Sequence, residues 1–344
     1  MSRLRNRTRR ALHLPWCEVT ADWVPEVPAD RFWFYALRYG VGHMLAAGED
    51  ERARERLSDL MFTGAYLDWC YTALSDDFSP LLQLWRALGA EEARAYYAQA
   101  VDRLQLKEAE RLIWLRHVVE YLRDAGWRQE AVDGARVALR IHAELAGDEH
   151  PETAASKNQL ALALKAAGRV DEAIPLTTHA LAVQRQHLGA DDPELYVTVN
   201  SLASMLNAAK RYDESEALFR EAIENRTRLL GADHPKTLIS IASFAFMLTK
   251  MGKHPESEPF HRQVVERRRE ILGDLHPKTL RSCANLGLCL TELGQLEEAR
   301  ALLEEAVTRS SAVLGADHPR TTVAQKRLNA CLAKQIAHGA DTPS

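Results

Sequence analysis

The feature that most constrains this sequence is a repeat of 42 residues. Glycine recurs at this spacing, and proline follows each glycine four residues later. The five glycines are Gly147, Gly189, Gly231, Gly273 and Gly315, and the prolines are Pro151, Pro193, Pro235, Pro277 and Pro319. Five copies without an insertion or deletion indicate a stack of equal structural units. A second series, Gly126, Gly168, Lys210, Gly252 and Gly294, divides each unit into two elements.

Both elements of the unit have helical periodicity. Leucine stands four residues before each mid-unit turn, at Leu122, Leu164, Leu206, Leu248 and Leu290. A small or β-branched residue lies three residues further back, which places both on one stripe of a helix. After the turn come the small residues Ala131, Ala173, Ser215, Ser257 and Ala299. Because small side chains let helix axes approach closely, we predict an all-α fold built from packed helix pairs.

The connector between units carries the signals of one helix ending and the next beginning. In residues 231–237, Gly-Ala-Asp-His-Pro-Lys-Thr, glycine suits the C-terminal cap and proline suits the first helical turn. Asp233 or His234 can cap the exposed amides. The recurring histidines lie about one repeat width apart, whereas Zn2+ needs ligands converging at about 2.0–2.3 Å. We therefore predict neither a metal site nor a cofactor.

Three sequence patterns resemble the kinesin-light-chain subclass of tetratricopeptide repeats. These are Gly-Asp-x-His-Pro-x-Thr at residues 147–153, Asn-x-Leu-Ala at residues 158–161 and 200–203, and Gly-x-x-x-Glu-Ala at residues 168–173. The resemblance covers about residues 107–338. It implies a right-handed α-solenoid of tetratricopeptide helix pairs, with an irregular N-terminal helical segment and a C-terminal capping helix.

The expected organisation has four parts. They are a flexible N-terminal arm over residues 1–30, an irregular helical segment of degenerate helix pairs over 31–105, the tetratricopeptide solenoid over 106–338, and a disordered tail over 339–344. The repeat units lie near 107–146, 151–188, 193–230, 235–272 and 277–314, and the capping helix spans 319–337.

The segment of residues 31–90 has a second resemblance. Its patterns Phe-Trp-Phe-Tyr-Ala-Leu-Arg-Tyr, His-Met-Leu-Ala-Ala-Gly and Leu-x-Asp-Leu-Met-Phe are similar to the helical region that follows the nucleotide-binding module of bacterial STAND-type ATPases. The sequence contains no GxxxxGK[ST] phosphate-binding loop. The resemblance therefore implies an alternative function, as the sensor or regulatory arm of a STAND-type signalling system whose ATPase is absent from this chain.

Composition and motifs disfavour several classes of function. A net charge of −4 and a pI near 6.4 do not predict nucleic-acid binding. No apolar run approaches the roughly 18 residues of a membrane span. The five cysteines form no CxxC pair, which favours a reducing compartment, and we expect a cytoplasmic protein. HExxH and GxSxG are also missing, so we predict no catalytic residues and no enzyme activity.

The tetratricopeptide resemblance implies a concave groove lined by the first helix of each pair, and hence a non-catalytic scaffold for protein–protein interaction that binds a peptide or a partner protein there. Asparagine can hold a peptide backbone because its amide both donates and accepts hydrogen bonds. Phe246 and Leu288 offer apolar contacts, and Lys165, Lys250 and Arg281 could meet an acidic residue or a carboxylate. The candidate groove residues are Asn158, Gln159, Leu162, Lys165, Asn200, Ser201, Ser204, Asn207, Phe246, Lys250, Arg281, Asn285 and Leu288.

Three alternatives stay open at this stage. The asparagines could serve only to cap or space helices, since their helix propensity is modest. Self-association through the solenoid ends is a further mode of interaction. The charged run Glu-Arg-Arg-Arg-Glu at residues 266–270 is predicted to be an exposed face of a second helix, with binding of an acidic partner as the alternative.

Overall fold

A computed structural model describes residues 44–45, 47–57, 81, 84 and 108–340 of the chain. The chain divides into two compact units, Met1–Leu106 and Lys107–Ser344. The described part of the first unit contains helix α1, Asp50–Leu57, which follows a turn at Gly48. The predictions for the arm at 1–30, for most of the 31–105 segment and for residues 341–344 of the tail fall outside the described residues. So does nearly all of the STAND-type resemblance.

The second unit is a stack of helix pairs. Its helices are α2 Glu108–Ala125, α3 Arg128–Ala146, α4 Pro151–Ala166, α5 Val170–His187, α6 Leu195–Ala208, α7 Tyr212–Leu230, α8 Pro235–Lys250, α9 His254–Leu272, α10 Pro277–Glu292, α11 Leu296–Leu314 and α12 Pro319–Ala340. Each helix packs on the next, and the first helices of neighbouring pairs also contact one another. No strand occurs among the described residues, so the predicted all-α solenoid is confirmed.

The repeated core is the one that the sequence period predicts. The leucines four residues before each mid-unit turn are all buried, and so are the small residues at the start of each second helix. At Gly287 the approach is closest, because an added Cβ would lie 2.6 Å from Leu303 Cγ on the paired helix. The small seam therefore sets how near the two helices of a pair can pack.

Histidine caps the first helix in four of the connectors. His150, His234, His276 and His318 each accept a hydrogen bond through Nδ1 from the backbone N–H two residues later, at 3.0–3.2 Å. The predicted capping role of His234 is thus confirmed. In the remaining connector Asp192 does the same through Oδ1, at 2.9 Å from the Glu194 amide. These contacts satisfy helix-start amides that the backbone cannot pair.

Lys210 takes the place of glycine at one mid-unit turn. Its φ is +62°, while glycine at the equivalent positions has φ between +77° and +88°. The lysine backbone is therefore in the left-handed region, at a cost of about 1 kcal/mol relative to glycine. As a result a cationic side chain stands at a position where the other units have glycine.

The prediction that residues 266–270 form an exposed face is wrong at Arg268. Glu266 and Glu270 are exposed, but the Arg268 side chain is 1% exposed. Its guanidinium donates to the Lys278 carbonyl at 3.1 Å and to Ser282 Oγ at 2.6 Å. Arg268 stands on the side of α9 that faces the next pair, so its long side chain reaches acceptors in the first turns of α10. Arg226, one period earlier, donates to the Lys236 carbonyl and Ser240 Oγ in the same way.

The stack curves until its last helix reaches the turn of its first pair. His318 Nε2 lies 2.8 Å from the Asp124 carbonyl oxygen, and the Arg320 guanidinium pairs with Asp124 Oδ1 at 2.8 Å. An added Cβ on Gly126 would lie 2.9 Å from Pro319 Cγ, so the contact is close. The inner wall of the stack thus surrounds a space instead of lining an open trough. Among the described helices, none has both the length and the apolar character of a membrane span.

Candidate ligand-binding cavity

A cavity of about 650 Å³ lies inside the curve of the second unit. The first helices of the pairs, α4, α6, α8 and α10, line it together with α12. Seven of the predicted groove residues are on its wall: Lys165, Ser204, Asn207, Phe246, Lys250, Arg281 and Asn285. They come from four helices and from sequence positions 120 residues apart, so the repeat brings them together.

The other six predicted groove residues do not line the cavity. They are Asn158, Gln159, Leu162, Asn200, Ser201 and Leu288. Gln159 donates to the Arg116 carbonyl at 3.1 Å, and Ser201 donates to the Val197 carbonyl at 2.8 Å. The Oδ1 atoms of Asn158 and Asn200 are buried without a hydrogen-bond partner. Leu162 and Leu288 are half-buried.

Several cavity residues were missed by the sequence interpretation. Arg327 and Val323 lie 42 residues after Asn285 and Arg281. Extending the 42-residue spacing of the predicted groove positions into the capping helix would therefore have found them. Arg320 reaches the cavity because the stack closes, which no local pattern signals. Lys210 stands at the left-handed turn and also lines the wall.

The wall of the cavity is cationic. Lys165, Lys210, Lys250, Arg281, Arg320 and Arg327 line it, and its lining includes no aspartate or glutamate. Arg320 is paired with Asp124, which lies beside the cavity. Among the described residues, the other five cations form no ion pair with a carboxylate within 4.0 Å.

Desolvation and neighbouring positive charges lower the pKa values of two of these cations, Lys165 and Arg281. Burial, together with the charges of Arg281 and Arg123, lowers the pKa of Lys165 to about 8. Desolvation by the surrounding protein also lowers the pKa of Arg281 to about 10, with Arg320 as the next cause, although Asp124 opposes the shift and the side chain is still exposed to solvent. Both groups are protonated at pH 7, but their charged forms are less stable in the cavity than they would be in water.

Several polar and aromatic groups of the cavity contact one another. The Phe246 ring has the Lys250 ammonium 5.4 Å and the Arg327 guanidinium 5.9 Å from its centroid. Arg327 also donates to Asn285 Oδ1 at 2.7 Å. Lys165 hydrogen-bonds to the Ser204 hydroxyl. The Oδ1 of Asn207 is buried and has no hydrogen-bond partner.

The outer face, formed by the second helices and the turns before them, handles its arginines differently. Arg211 pairs with Glu214 at 2.6 Å, Arg300 with Glu304 at 2.8 Å, and Arg262 with both Glu258 and Glu298 at 2.6–2.9 Å. The hydrogen bonds that Arg262 donates to Glu298 and Glu258 raise its pKa. These three arginines are therefore balanced by carboxylates of the chain itself.

Two other clusters of reactive side chains are explained by packing. Asp148, Glu149 and His179 could offer three metal ligands, but Lys157 Nζ lies between them, 2.8 Å from Asp148 Oδ2 and 3.1 Å from His179 Nδ1. That arrangement is an ion-pair network. Buried Thr249 and Ser257 contact His261 and Cys289 at the junction of α8, α9 and α10. Burial lowers the pKa of His261 to about 4 and raises that of the Cys289 thiol, so neither is poised for chemistry at neutral pH.

Comparisons with known proteins identify the repeat. Profiles of the tetratricopeptide repeat match residues 153–194 and 197–236, and residues 239–311 and 282–335. No curated protein matches the sequence.

Solved structures share the helical repeat. A kinesin-light-chain-type protein from Podosopora anserina, with nearly identical TPR-like repeats, is 27% identical over 60% of this chain and 98% of its own, with a TM-score of 0.47. BtubC (BKLC) from P. vanneervenii is 18% identical over 65% and 91%, with a TM-score of 0.49. NprR in complex with its cognate peptide NprX is 16% identical over 91% and 83%, with a TM-score of 0.53.

The profiles cover more than half of the chain, and they coincide with the four helix pairs from α4 to α11 and with most of the capping helix. Stacks of this kind present concave surfaces for binding other proteins and are protein-interaction scaffolds. The predicted tetratricopeptide repeats are thus confirmed. This chain belongs to the tetratricopeptide repeat family.

Proposed function

We propose that this chain is a non-catalytic scaffold that binds a peptide or a partner protein on the inner wall of its helix stack. One observation carries the proposal: side chains from five helices converge on a single cavity that combines unpaired cations, amides and an aromatic ring. Binding sites typically combine a concave shape with a few convergent polar groups. The outer face lacks this combination, because its charges pair with one another.

The asparagines of the inner wall support a role in peptide recognition. The Oδ1 atoms of Asn158, Asn200 and Asn207 are buried and accept no hydrogen bond in the free protein. Buried polar atoms without a partner are rare in folded proteins and call for an explanation. The backbone amides of an extended peptide would supply the missing donors.

Affinity capture with variants of the cavity tests the proposal. The bait proteins are the wild type, a cavity variant combining Phe246→Ala with Asn207→Ala, and the outer-face variant Arg300→Gln. We expect quantitative mass spectrometry of a lysate of the source organism to find a partner that the wild type and Arg300→Gln retain and the cavity variant loses. A partner that all three baits capture equally would contradict binding on the inner wall.

A second variant tests the inner wall outside the cavity. Asn158→Ala combined with Asn200→Ala removes two amide groups whose Oδ1 atoms have no hydrogen-bond partner in the protein. We expect weaker binding of the captured partner, with the free energy of unfolding changed by no more than about 1 kcal/mol. Unchanged binding together with a larger loss of stability would assign these asparagines to packing.

A further inference from the structure

We propose that the cavity binds a compact polyanion, a small molecule with at least three negative charges on phosphate or carboxylate groups. This ligand is additional to the partner protein of the proposed function, and its binding is measured without that partner. The argument rests on the charge, the geometry and the closure of the cavity.

The charge of the cavity is unbalanced. Lys165, Lys210, Lys250, Arg281 and Arg327 come from different helices and turns, yet all line one space. None of them pairs with a carboxylate among the described residues. Like charges that share a space partly shielded from water repel one another, and this repulsion lowers the stability of the folded chain. A bound anion would remove the repulsion, because the chain places no carboxylate on the wall.

The geometry favours a compact ligand over a long one. The cations stand around the cavity on α4, α8, α10 and α12, so their charges converge on a common volume instead of following a line. That volume, about 650 Å³, is in the range of small-molecule sites. Arginine forks fit phosphate and carboxylate oxygens in a bidentate manner. Ser204, Asn207 and Ser243 add neutral hydrogen-bonding groups to the same wall.

The closure of the stack links the ligand to the fold. Arg320 lines the cavity and at the same time forms the ion pair with Asp124 that joins the last helix to the first pair. Arg327, on the same helix, holds Asn285 of α10. An anion that bridges α12 and the wall formed by α4 and α8 would therefore stabilise the closed form of the stack. Binding to the folded form alone raises the melting temperature.

Protonation gives a second, independent signature. Burial and the neighbouring arginines lower the pKa of Lys165 to about 8, so part of the population has lost this proton at pH 8. A bound polyanion favours the charged lysine and raises its pKa. Binding at pH 8 should therefore take up protons, and the affinity should fall as the pH rises above 8.

Calorimetric titration tests the inference, with inorganic tripolyphosphate and citrate as compact probes and a hexaglutamate peptide as the extended one. We expect one tripolyphosphate or citrate to bind per chain, more tightly than hexaglutamate, and to raise Tm. Which of the two binds better tells a phosphate ligand from a polycarboxylate. Arg281→Gln should weaken binding about tenfold or more, as expected for the loss of one charge-assisted hydrogen bond. The matched control Arg300→Gln removes the same charge from the outer face and should change the affinity less than about twofold.

Three outcomes would overturn the inference. They are the absence of saturable binding by either compact probe, tighter binding of hexaglutamate than of both, and equal losses of affinity in Arg281→Gln and Arg300→Gln. The Tm of unliganded Arg281→Gln shows that the variant is folded. Failure of these titrations leaves the capture experiment unaffected, and failure to capture a partner leaves the titrations unaffected, so the two proposals fail separately.

Discussion

The inner wall and the outer face of the helix stack use the same basic residues under opposite conditions. On the outer face Arg262 lies between two glutamates, and Arg300 pairs with the glutamate one helical turn away. In the cavity Arg281 and Lys165 have other cations as neighbours. Although the whole chain has a net charge of −4, its interior cavity is positive. Net charge alone therefore hides the local imbalance that defines the candidate site.

The two environments shift the pKa of arginine in opposite directions. Hydrogen bonds donated to Glu298 and Glu258 raise the pKa of Arg262. Burial and the charge of Arg320 lower the pKa of Arg281 to about 10. One environment stabilises the charged form and the other penalises it. The outer arginines are neutralised by their glutamate partners, whereas the cavity cations other than Arg320 have no carboxylate partner among the described residues and can attract a negatively charged ligand.

The largest expected effect comes from the core that separates the two surfaces. Leu206 is buried at the end of α6 and packs in the cluster between α5, α6 and α7. Leu206→Ala should lower the free energy of unfolding by about 2–5 kcal/mol, because it removes buried methyl groups and leaves a cavity. Urea denaturation measures the change and sets the scale for the charge variants. A loss below about 1 kcal/mol would mean that the repeat core is not packed as described.

A smaller effect is expected at the contact that closes the stack. Burial raises the pKa of Asp124, but the charges of Arg320, Arg123, Arg281 and Lys278 outweigh it and hold the pKa below 3.8. The ionised carboxylate therefore stabilises the fold above about pH 4, and this contribution is lost as the pH falls through the lowered pKa. Asp124→Asn should cost about 1–2 kcal/mol at pH 7 and less at pH 3.

Urea denaturation at both pH values checks the closing contact. Asp213→Asn, an exposed change at the start of α7, is the control and should have little effect at either pH. A cost for Asp124→Asn that is independent of pH would show that the ion pair with Arg320 does not contribute through its charge.

The sequence predicts the helix pairs well because their causes are local. The glycine and proline period, the leucine stripe and the seam of small residues each act within one unit or between neighbours, and the structure places them as expected. The closure could not be predicted in this way. Asp124 and Arg320 are 196 residues apart, and they meet because a small rotation from each pair to the next accumulates along the stack.

The candidate site, too, could be predicted from the sequence only in part. The positions of Lys165, Phe246 and Arg281 on the first helices of their pairs could be predicted from the repeat, and these residues do line the cavity. Asn158 and Asn200 lie on the same helices as Lys165 and Asn207 but seven residues closer to the helix start, and only the later residues line the cavity. Arg268 shows the complementary error, because a charged sequence pattern does not reveal that one arginine reaches a carbonyl of the next helix.

The third prediction concerns pH and Lys165, with a smaller expected effect. Its pKa of about 8 in the folded protein lies below the usual 10.5, so the unfolded chain binds more protons between these values. Stability from this group therefore rises with pH from about 8 to 10.5. Lys165→Gln should remove that rise relative to the wild type, as measured by urea midpoints between pH 7 and pH 10. Parallel curves would contradict the crowding of cations, and Lys236→Gln on the outside serves as the control.

The most direct test of the contrast between the two surfaces is the melting temperature of two matched arginine variants at low ionic strength. Arg281→Gln removes a cation from the unbalanced cavity, and Arg262→Gln removes one that two glutamates hold. Without a ligand, we expect Arg281→Gln to raise Tm and Arg262→Gln to lower it, with both shifts shrinking as salt is added. A drop in Tm for Arg281→Gln as large as that for Arg262→Gln would show that the cavity cations are balanced after all.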